Sequence, residues 1–116
     1  MKRWLRATGN SLNGLGACAE TEAAFREEIV LLLLAVPLAF VVAPDAWRRL
    51  FLLAPIFLLL IVELLNTAIE KLSDRLNPDY DPAIGRIKDM GSAAIGLTLA
   101  GTVIVWAVAL AEFFGF

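Results

Sequence analysis

Residues 93–111 read AAIGLTLAGTVIVWAVALA, a run of 19 residues without a charged side chain. Two other apolar runs precede it, IVLLLLAVPLAFVVA at 29–43 and LFLLAPIFLLLIV at 50–62. A helix needs about 20 residues to cross about 30 Å of hydrocarbon, so the last run can span a bilayer alone and the first two need turns from their flanks. The runs predict three membrane-spanning helices, at 28–44, 48–73 and 88–113.

The composition also indicates a membrane protein. Hydrophobic residues make up 59% of the 116 residues, and the mean hydropathy is +0.75, whereas a soluble domain contains roughly 45–50% apolar residues. Cys18 is the single cysteine and histidine is absent. This excludes a disulfide framework, a Cys/His zinc site and a Ser–His or Cys–His nucleophile pair. The net charge of −2 gives no electrostatic case for nucleic acid.

The segment before the first apolar run is too polar for a signal peptide and has the pattern of a surface helix. Its apolar residues recur near helical spacing, with polar residues elsewhere around the wheel: Trp4, Leu5, Leu12, Leu15 and Ala19. This pattern predicts an amphipathic helix at the membrane interface over 1–27. Because each glycine costs about 1 kcal/mol of helix propensity, we expect a break or bend between Gly9 and Gly16.

The distribution of Lys and Arg predicts the orientation. Eight of the ten basic residues lie in the N-terminal segment or between the second and third runs, and none follows the third run. Because cytoplasmic segments carry the excess of basic residues, we expect the N-terminus inside and the C-terminus outside. Pro37 and Pro55 lie in the middle of spans, where we interpret them as kinks rather than helix ends.

Glu63 is the clearest polar residue at membrane depth, since it follows 13 apolar residues and precedes two leucines. If the second span continues as a helix, Glu63, Asn66, Glu70 and Asp74 share one face, at i, i+3, i+7 and i+11. Stacked carboxylates repel one another, so this face predicts a bound cation. Oxygen ligands without His or Cys favour Mg²⁺. A solvated helix end is the alternative for Glu70 and Asp74.

Glu22 lies near the same membrane interface and is a candidate to complete the ion site. A surface ion pair with Arg26, at i, i+4, is an equally plain explanation of Glu22. The acidic segment that contains both residues is TEAAFREE at 21–28. These residues alone do not decide between the two roles of Glu22.

A third polar segment, RIKDMGS at 86–92, begins the third span. The free backbone N–H groups at a helix start, together with the charge of Lys88, could bind a phosphate group. The alternative is that Arg86 and Lys88 only anchor the helix at the cytoplasmic side of the membrane. The preceding segment NPDYDPAIG, at 77–85, must reverse the chain, and Tyr80 is its aromatic residue for stacking on a base.

Together these features predict phosphoryl transfer, which depends mainly on positioning and charge neutralisation. A base at the edge of the hydrocarbon would meet a hydroxyl group carried by a lipid. The sequence contains no Walker motif and no Gly-rich kinase loop. If the chain is a kinase, its nucleotide site is therefore unrelated to those of P-loop enzymes and protein kinases.

Three motifs lie in order along the chain: EAAFR at 22–26, ELLNTAIE at 63–70 followed by Asp74, and KDMGSAA at 88–94. In identity and spacing they resemble the small prokaryotic diacylglycerol kinases, and the likeness covers essentially the whole chain. KDMGSAA is similar to the diacylglycerol-specific, Gram-negative form, whereas relatives that act on undecaprenol typically read Lys-Asp followed by an Ala-Ala-Gly run. Undecaprenol kinase and a non-enzymatic, cation-binding membrane subunit are the alternative functions.

The resemblance implies an all-α homotrimer whose subunits each have an amphipathic surface helix and three transmembrane helices. It implies ATP-dependent phosphorylation of 1,2-diacylglycerol to phosphatidate, with Mg²⁺, at the cytoplasmic face of the inner membrane. Such an enzyme would support phospholipid metabolism and diacylglycerol recycling.

The resemblance also implies roles for individual residues. Glu63 would be the general base, Asn66 would order the catalytic face, and Glu22 and Glu70 would bind the metal. The residues implied for nucleotide contact are Arg3, Asn10, Glu22, Glu70, Asp79, Tyr80, Asp81, Lys88 and Asp89. Those implied for the lipid substrate are Arg26, Glu28, Glu63 and Ser92.

Overall fold

The computed structural model of the protein describes residues 1–77, 79 and 81–116. Within these residues it contains four α-helices and no strand: α1 (Lys2–Thr21), α2 (Ala23–Val42), α3 (Ala46–Leu76) and α4 (Pro82–Phe113). The prediction of an all-α protein is confirmed.

The first helix is shorter than expected, because α1 ends at Thr21 and not near residue 27. Glu22 alone separates α1 from α2 and has extended backbone angles, φ −116° and ψ 109°. Arg26 does not pair with Glu22 among the described residues; its Nη1 donates to the carbonyls of Ala19 and Glu20 at 2.6 and 3.2 Å. Helix α2 therefore begins with a polar turn whose Arg26 satisfies carbonyl groups at the end of α1.

The expected break at the glycines of α1 is wrong. The helix runs without interruption from Lys2 to Thr21, through Gly9, Gly14 and Gly16. Glycine lowers helix propensity but introduces no clash, and the backbone hydrogen bonds of the helix can form through it. The hydroxyls of Thr8 and Ser11 donate to carbonyls one turn back and follow the same helical path.

Aspartates begin both long helices. Asp45 accepts a hydrogen bond from the backbone N–H of Arg48 at 2.9 Å and pairs with its guanidinium at 2.7 Å. These contacts, the backbone bond foremost, hold the pKa of Asp45 below its ordinary range. Asp81 caps α4 by accepting from Ala83 N at 2.8 Å. A proline at the next position, Pro82, suits a helix start, so α4 begins six residues before the predicted span at 88.

Helix α3 is the centre of the fold, since both α2 and α4 pack along it. Ala39, Ala43 and Leu52 form a buried cluster against which Trp106 packs. The indole Nε1 of Trp106 donates to the carbonyl of Leu52 at 3.0 Å and so ties α4 to α3. Both helices that contain a central proline, α2 and α3, continue through it. The expectation that these prolines do not end the helices is confirmed.

Two of the described helices, α3 and α4, are long and apolar enough to cross a membrane. With 31 and 32 residues they extend about 46 and 48 Å, so both reach beyond a hydrocarbon layer of about 30 Å. The apolar part of α2 is shorter, because its first turns contain Arg26, Glu27 and Glu28. The chain measures 53 × 42 × 21 Å, and this thin arrangement leaves most of its large apolar side chains exposed.

Candidate active site

The polar face predicted for the second span exists on α3. Glu63 and Asn66 are each 6% exposed, and Glu70 is half-buried one turn further on. The Asn66 Nδ2 donates to the Glu70 Oε1 at 3.2 Å. Asp74 lies further along the same face, but its carboxylate is not free. It forms an ion pair with Lys88 of α4, in which Asp74 Oδ1 and Lys88 Nζ are 2.5 Å apart.

A second, half-buried carboxyl group comes from α2. Glu28 lies close to Glu63, and Glu22 and Glu70 are near enough to Glu63 for their charges to act on it. Within the described part of the chain, the buried Glu28 Oε2 and Asn66 Oδ1 have no hydrogen-bond partner. The first turns of α2 and the middle of α3 therefore form an acidic cluster that consists of Glu22, Glu28, Glu63 and Glu70.

The oxygen donors of this acidic cluster suit a hard divalent cation such as Mg²⁺. Two of its members, Glu22 and Glu70, are the predicted metal ligands. In residues 1–77, 79 and 81–116, no group of three or more His, Cys, Asp or Glu side chains is close enough to hold a metal ion. Fewer than three carboxylates could therefore bind one ion in the described part of the chain. This number suits Mg²⁺, which commonly binds to one or two carboxylates together with substrate phosphates.

The buried Gly91 of α4 gives Asn66 its space. A Cβ added at Gly91 would overlap Asn66 Oδ1 and would lie 3.2 Å from Asn66 Cγ. The motif KDMGSAA therefore supplies a glycine that allows α4 to approach the polar face of α3 closely.

Four of the predicted nucleotide residues, Asp79, Asp81, Lys88 and Asp89, line a polar cavity of about 350 Å³ where α3 ends and α4 begins. Its lining residues are Asp74, Asn77, Asp79, Asp81, Ile84, Gly85, Lys88 and Asp89. Asp81 is also the cap of α4, and the Asp79 N–H donates to Asn77 Oδ1 at 3.1 Å. Tyr80 lies outside the described residues.

Other predicted residues lie apart from these two groups. Arg3 and Asn10 are exposed on α1, where Arg3 stacks over the ring of Trp4 at 5.7 Å. Ser92 is exposed on α4, next to Gly91. Arg26 is engaged with the carbonyls that end α1.

Two contacts that sequence reasoning missed join α1 to α3. The buried Cys18 Sγ donates to Thr67 Oγ1 at 3.8 Å, and Lys71 Nζ donates to Thr21 Oγ1 at 3.0 Å. The spacing of Thr67 and Lys71 from Glu63, i+4 and i+8, was the available signal, because it places them on a neighbouring stripe of the same helix.

Buried carboxyl groups within an apolar helical scaffold, beside a polar cavity at a helix start, define a helical membrane protein with a candidate phosphate-handling site. The family model described as prokaryotic diacylglycerol kinase matches residues 9–110. The chain belongs to the prokaryotic diacylglycerol kinase family.

Proteins named diacylglycerol kinase are similar to this chain over nearly its whole length. The protein of Escherichia coli (strain K12) is 44% identical over 113 residues, which cover 97% of this chain and 93% of the relative. That of Pseudomonas aeruginosa is 42% identical over 110 residues, 95% of this chain and 89% of the relative. That of Haemophilus influenzae is 33% identical over 102 residues, 88% and 86% of the two chains.

Proposed function

We propose that this chain transfers the γ-phosphoryl group of ATP to the free hydroxyl of 1,2-diacylglycerol and thereby forms phosphatidate. The observation that carries the proposal is the burial of Glu63 at 6% exposure, next to Glu28, in a helix that is otherwise apolar at that depth. A buried carboxylate is costly in such a place, and function is the usual reason to keep it. Undecaprenol kinase and a cation-binding subunit are not favoured, since the matched relatives are named diacylglycerol kinase.

In this mechanism Glu63 acts as general base. Its carboxylate accepts the proton of the lipid hydroxyl as that oxygen forms a bond to the γ-phosphorus. The bond from the γ-phosphorus to the bridging oxygen of ADP breaks at the same centre, and ADP leaves with its electron pair. A position at the edge of the apolar layer lets Glu63 reach a hydroxyl that the lipid cannot carry far into water.

Glu22 and Glu70 would hold Mg²⁺, which when bound neutralises phosphate charge and orients the nucleotide. The hydrogen bond of 3.2 Å from Asn66 holds the Glu70 carboxylate on the catalytic face. Lys88 would contact the phosphates by exchanging its ion pair with Asp74 for them. Further contacts to the nucleotide would come from Asp79, Tyr80, Asp81, Asp89 and, on the surface helix, Arg3 and Asn10.

The lipid would approach along the start of α2 and α4. Glu28, beside Glu63, would contact the glycerol hydroxyl end, with Arg26 and Ser92 nearer the interface. Below this polar end, the apolar surfaces of the helices would accommodate the acyl chains. This arrangement would explain why the acidic cluster lies at the junction of apolar and polar residues.

We further propose three spans per subunit, with α2 as the first, an inner-membrane location and a cytoplasmic N-terminus. The excess of basic residues in the N-terminal segment, at the end of α3 and at the start of α4 supports that orientation. We also propose a homotrimer. An apolar groove of about 900 Å³ between α3 and α4, lined by Leu50, Phe57 and Leu97 among others, offers a surface on which a neighbouring subunit would pack.

The test is the variant Glu63→Gln, which removes the base but keeps the shape of the side chain. We expect it to abolish ATP-dependent formation of phosphatidate while circular dichroism and thermal unfolding remain those of the wild type. Glu27→Gln, at an exposed acidic residue of α2, is the matched control and should retain the rate. Near-normal turnover by folded Glu63→Gln would remove Glu63 as the base.

A further inference from the structure

Helix α1 is attached to the rest of the chain at its C-terminal turn. Cys18 is its one buried residue among the described residues, and its thiol contacts the buried hydroxyl of Thr67 at 3.8 Å. One turn later, Lys71 Nζ donates to Thr21 Oγ1 at 3.0 Å. The Thr21 hydroxyl donates its own proton to Ala17 O at 3.0 Å, so a lone pair remains for the ammonium group. We refer to these two contacts, Cys18–Thr67 and Thr21–Lys71, as the clamp.

The residues of the clamp are spaced about one helical turn apart on both helices. Cys18 and Thr21 are spaced i, i+3 on α1, and Thr67 and Lys71 are spaced i, i+4 on α3, so each pair shares a helix face. The stripe of α3 that holds the clamp lies beside the stripe that holds Glu63 and the Asn66–Glu70 hydrogen bond. Helix α1 therefore contacts α3 directly beside the proposed catalytic face.

Glu22 depends on this docking because it is the only residue between α1 and α2. Its extended backbone angles set the direction of α1 relative to α2, and its N–H donates to Cys18 O at 2.9 Å. A change in the position of α1 must therefore change the backbone at Glu22. The Glu22 carboxylate would then move away from Glu63, on whose charge it now acts.

We infer that Thr67 and Lys71 are positioning residues: through Cys18 and Thr21 they dock the surface helix and thereby hold the Glu22 carboxylate near Glu63. The inference rests on the proposed function, in which Glu22 and Glu70 hold Mg²⁺. It gives the surface helix a part in metal binding in addition to its contact with the membrane. Thr67 and Lys71 touch neither substrate nor metal in this role.

The first measurement is the Mg²⁺ requirement of diacylglycerol phosphorylation by the full-length protein. Lys71→Met removes the ammonium group and keeps the length of the side chain, and we expect the half-saturating Mg²⁺ concentration to rise roughly three- to tenfold, the effect of one exposed charge-assisted hydrogen bond. The kcat at saturating Mg²⁺ should stay within about twofold, since the base is intact. Lys71→Arg should recover most of the affinity.

A matched control separates the clamp from the general loss of positive charge. Arg75→Met removes one charge from the same exposed end of α3, and Arg75 forms no side-chain hydrogen bond or ion pair in the part of the chain that the structure describes. This variant should keep the wild-type Mg²⁺ requirement. An equal rise in Arg75→Met and Lys71→Met would overturn the inference.

The second measurement reports on docking without any kinase activity. Cys18 is the single cysteine, is 4% exposed, and has a pKa that burial raises above its ordinary value, so the wild-type protein should react slowly with a maleimide. Lys71→Met and Thr21→Val should both increase the labelling rate, whereas Thr21→Ser should not. Their effects should be less than additive in the double variant, because both break one contact.

The outcomes are distinguishable. Unchanged labelling of Cys18 in Lys71→Met would show that Lys71 does not hold α1, and faster labelling with an unchanged Mg²⁺ requirement would show that docking does not position Glu22; either overturns the inference. A folded wild-type chain that phosphorylates no diacylglycerol would instead overturn the proposed function, and this inference with it.

Discussion

Replacement of Gly91 by alanine should disable the site while leaving the protein folded. A Cβ at this position overlaps Asn66 Oδ1 and lies 3.2 Å from Asn66 Cγ. Protein interiors have no free space for such an atom, so the Asn66 amide must retreat by about an ångström. The Asn66–Glu70 hydrogen bond is already 3.2 Å long and would be lost by that displacement.

The size of the effect follows from this hydrogen bond. A hydrogen bond to a charged group contributes about 1.5–3 kcal/mol, and each 1.36 kcal/mol corresponds to about tenfold in rate. If Asn66 holds Glu70 in the reacting complex, kcat/KM for diacylglycerol phosphorylation should fall about 10- to 100-fold. The crowding itself should lower the free energy of unfolding by about 1–3 kcal/mol.

The assay is phosphatidate formation at saturating MgATP, with thermal unfolding measured on the same preparations. Gly96→Ala is the control: it lies in the same helix, and nothing is within 4 Å of its added Cβ. It should keep the rate and gain up to about 1 kcal/mol of helix propensity. The reasoning is refuted if Gly91→Ala turns over at the wild-type rate, or if it causes the same further loss when Asn66 is already alanine.

Two further predictions concern stability. Trp106→Phe keeps an aromatic ring but removes the N–H that donates to Leu52 O at 3.0 Å, so the free energy of unfolding should fall by about 1 kcal/mol; an unchanged denaturation midpoint would contradict this. Asp45→Asn keeps a good cap of α3 and removes the charge. Because Arg48 N–H lowers the pKa of Asp45 below its ordinary value of 3.8, the carboxylate stabilises the fold above that pH and ceases to do so as the pH falls through the lowered pKa. The difference in unfolding temperature between the wild type and Asp45→Asn should therefore shrink below pH 3.8, and a constant difference would argue against this contribution.

The polar face of α3 could be predicted because helical spacing alone decides which side chains share a face. Glu63, Asn66 and Glu70 needed no tertiary information beyond the continuation of the helix past the apolar run. The same holds for α3 and α4 as candidate spans, since length and hydropathy are properties of the local sequence. The polar motifs then indicated phosphoryl transfer to a lipid hydroxyl, and the family resemblance specified diacylglycerol as the substrate and a role for each residue.

Contacts between distant parts of the chain could not be predicted in this way. The ion pair of Lys88 with Asp74, the space that Gly91 leaves for Asn66 and the docking of Cys18 on Thr67 all depend on how helices pack. The end of α1 at Glu22 was missed for a different reason. Hydropathy locates the edge of the hydrocarbon, whereas the helix boundary is decided by backbone hydrogen bonds and by Arg26.

The most direct test of the account is a lipid kinase assay with the purified full-length protein in bicelles. Diacylglycerol and undecaprenol are offered side by side with Mg²⁺ and ATP labelled in the γ-phosphate. We expect transfer of the label to diacylglycerol, with the product phosphatidate, at a rate well above that on undecaprenol. Label in undecaprenol at an equal or higher rate, or no label in any lipid, would contradict it.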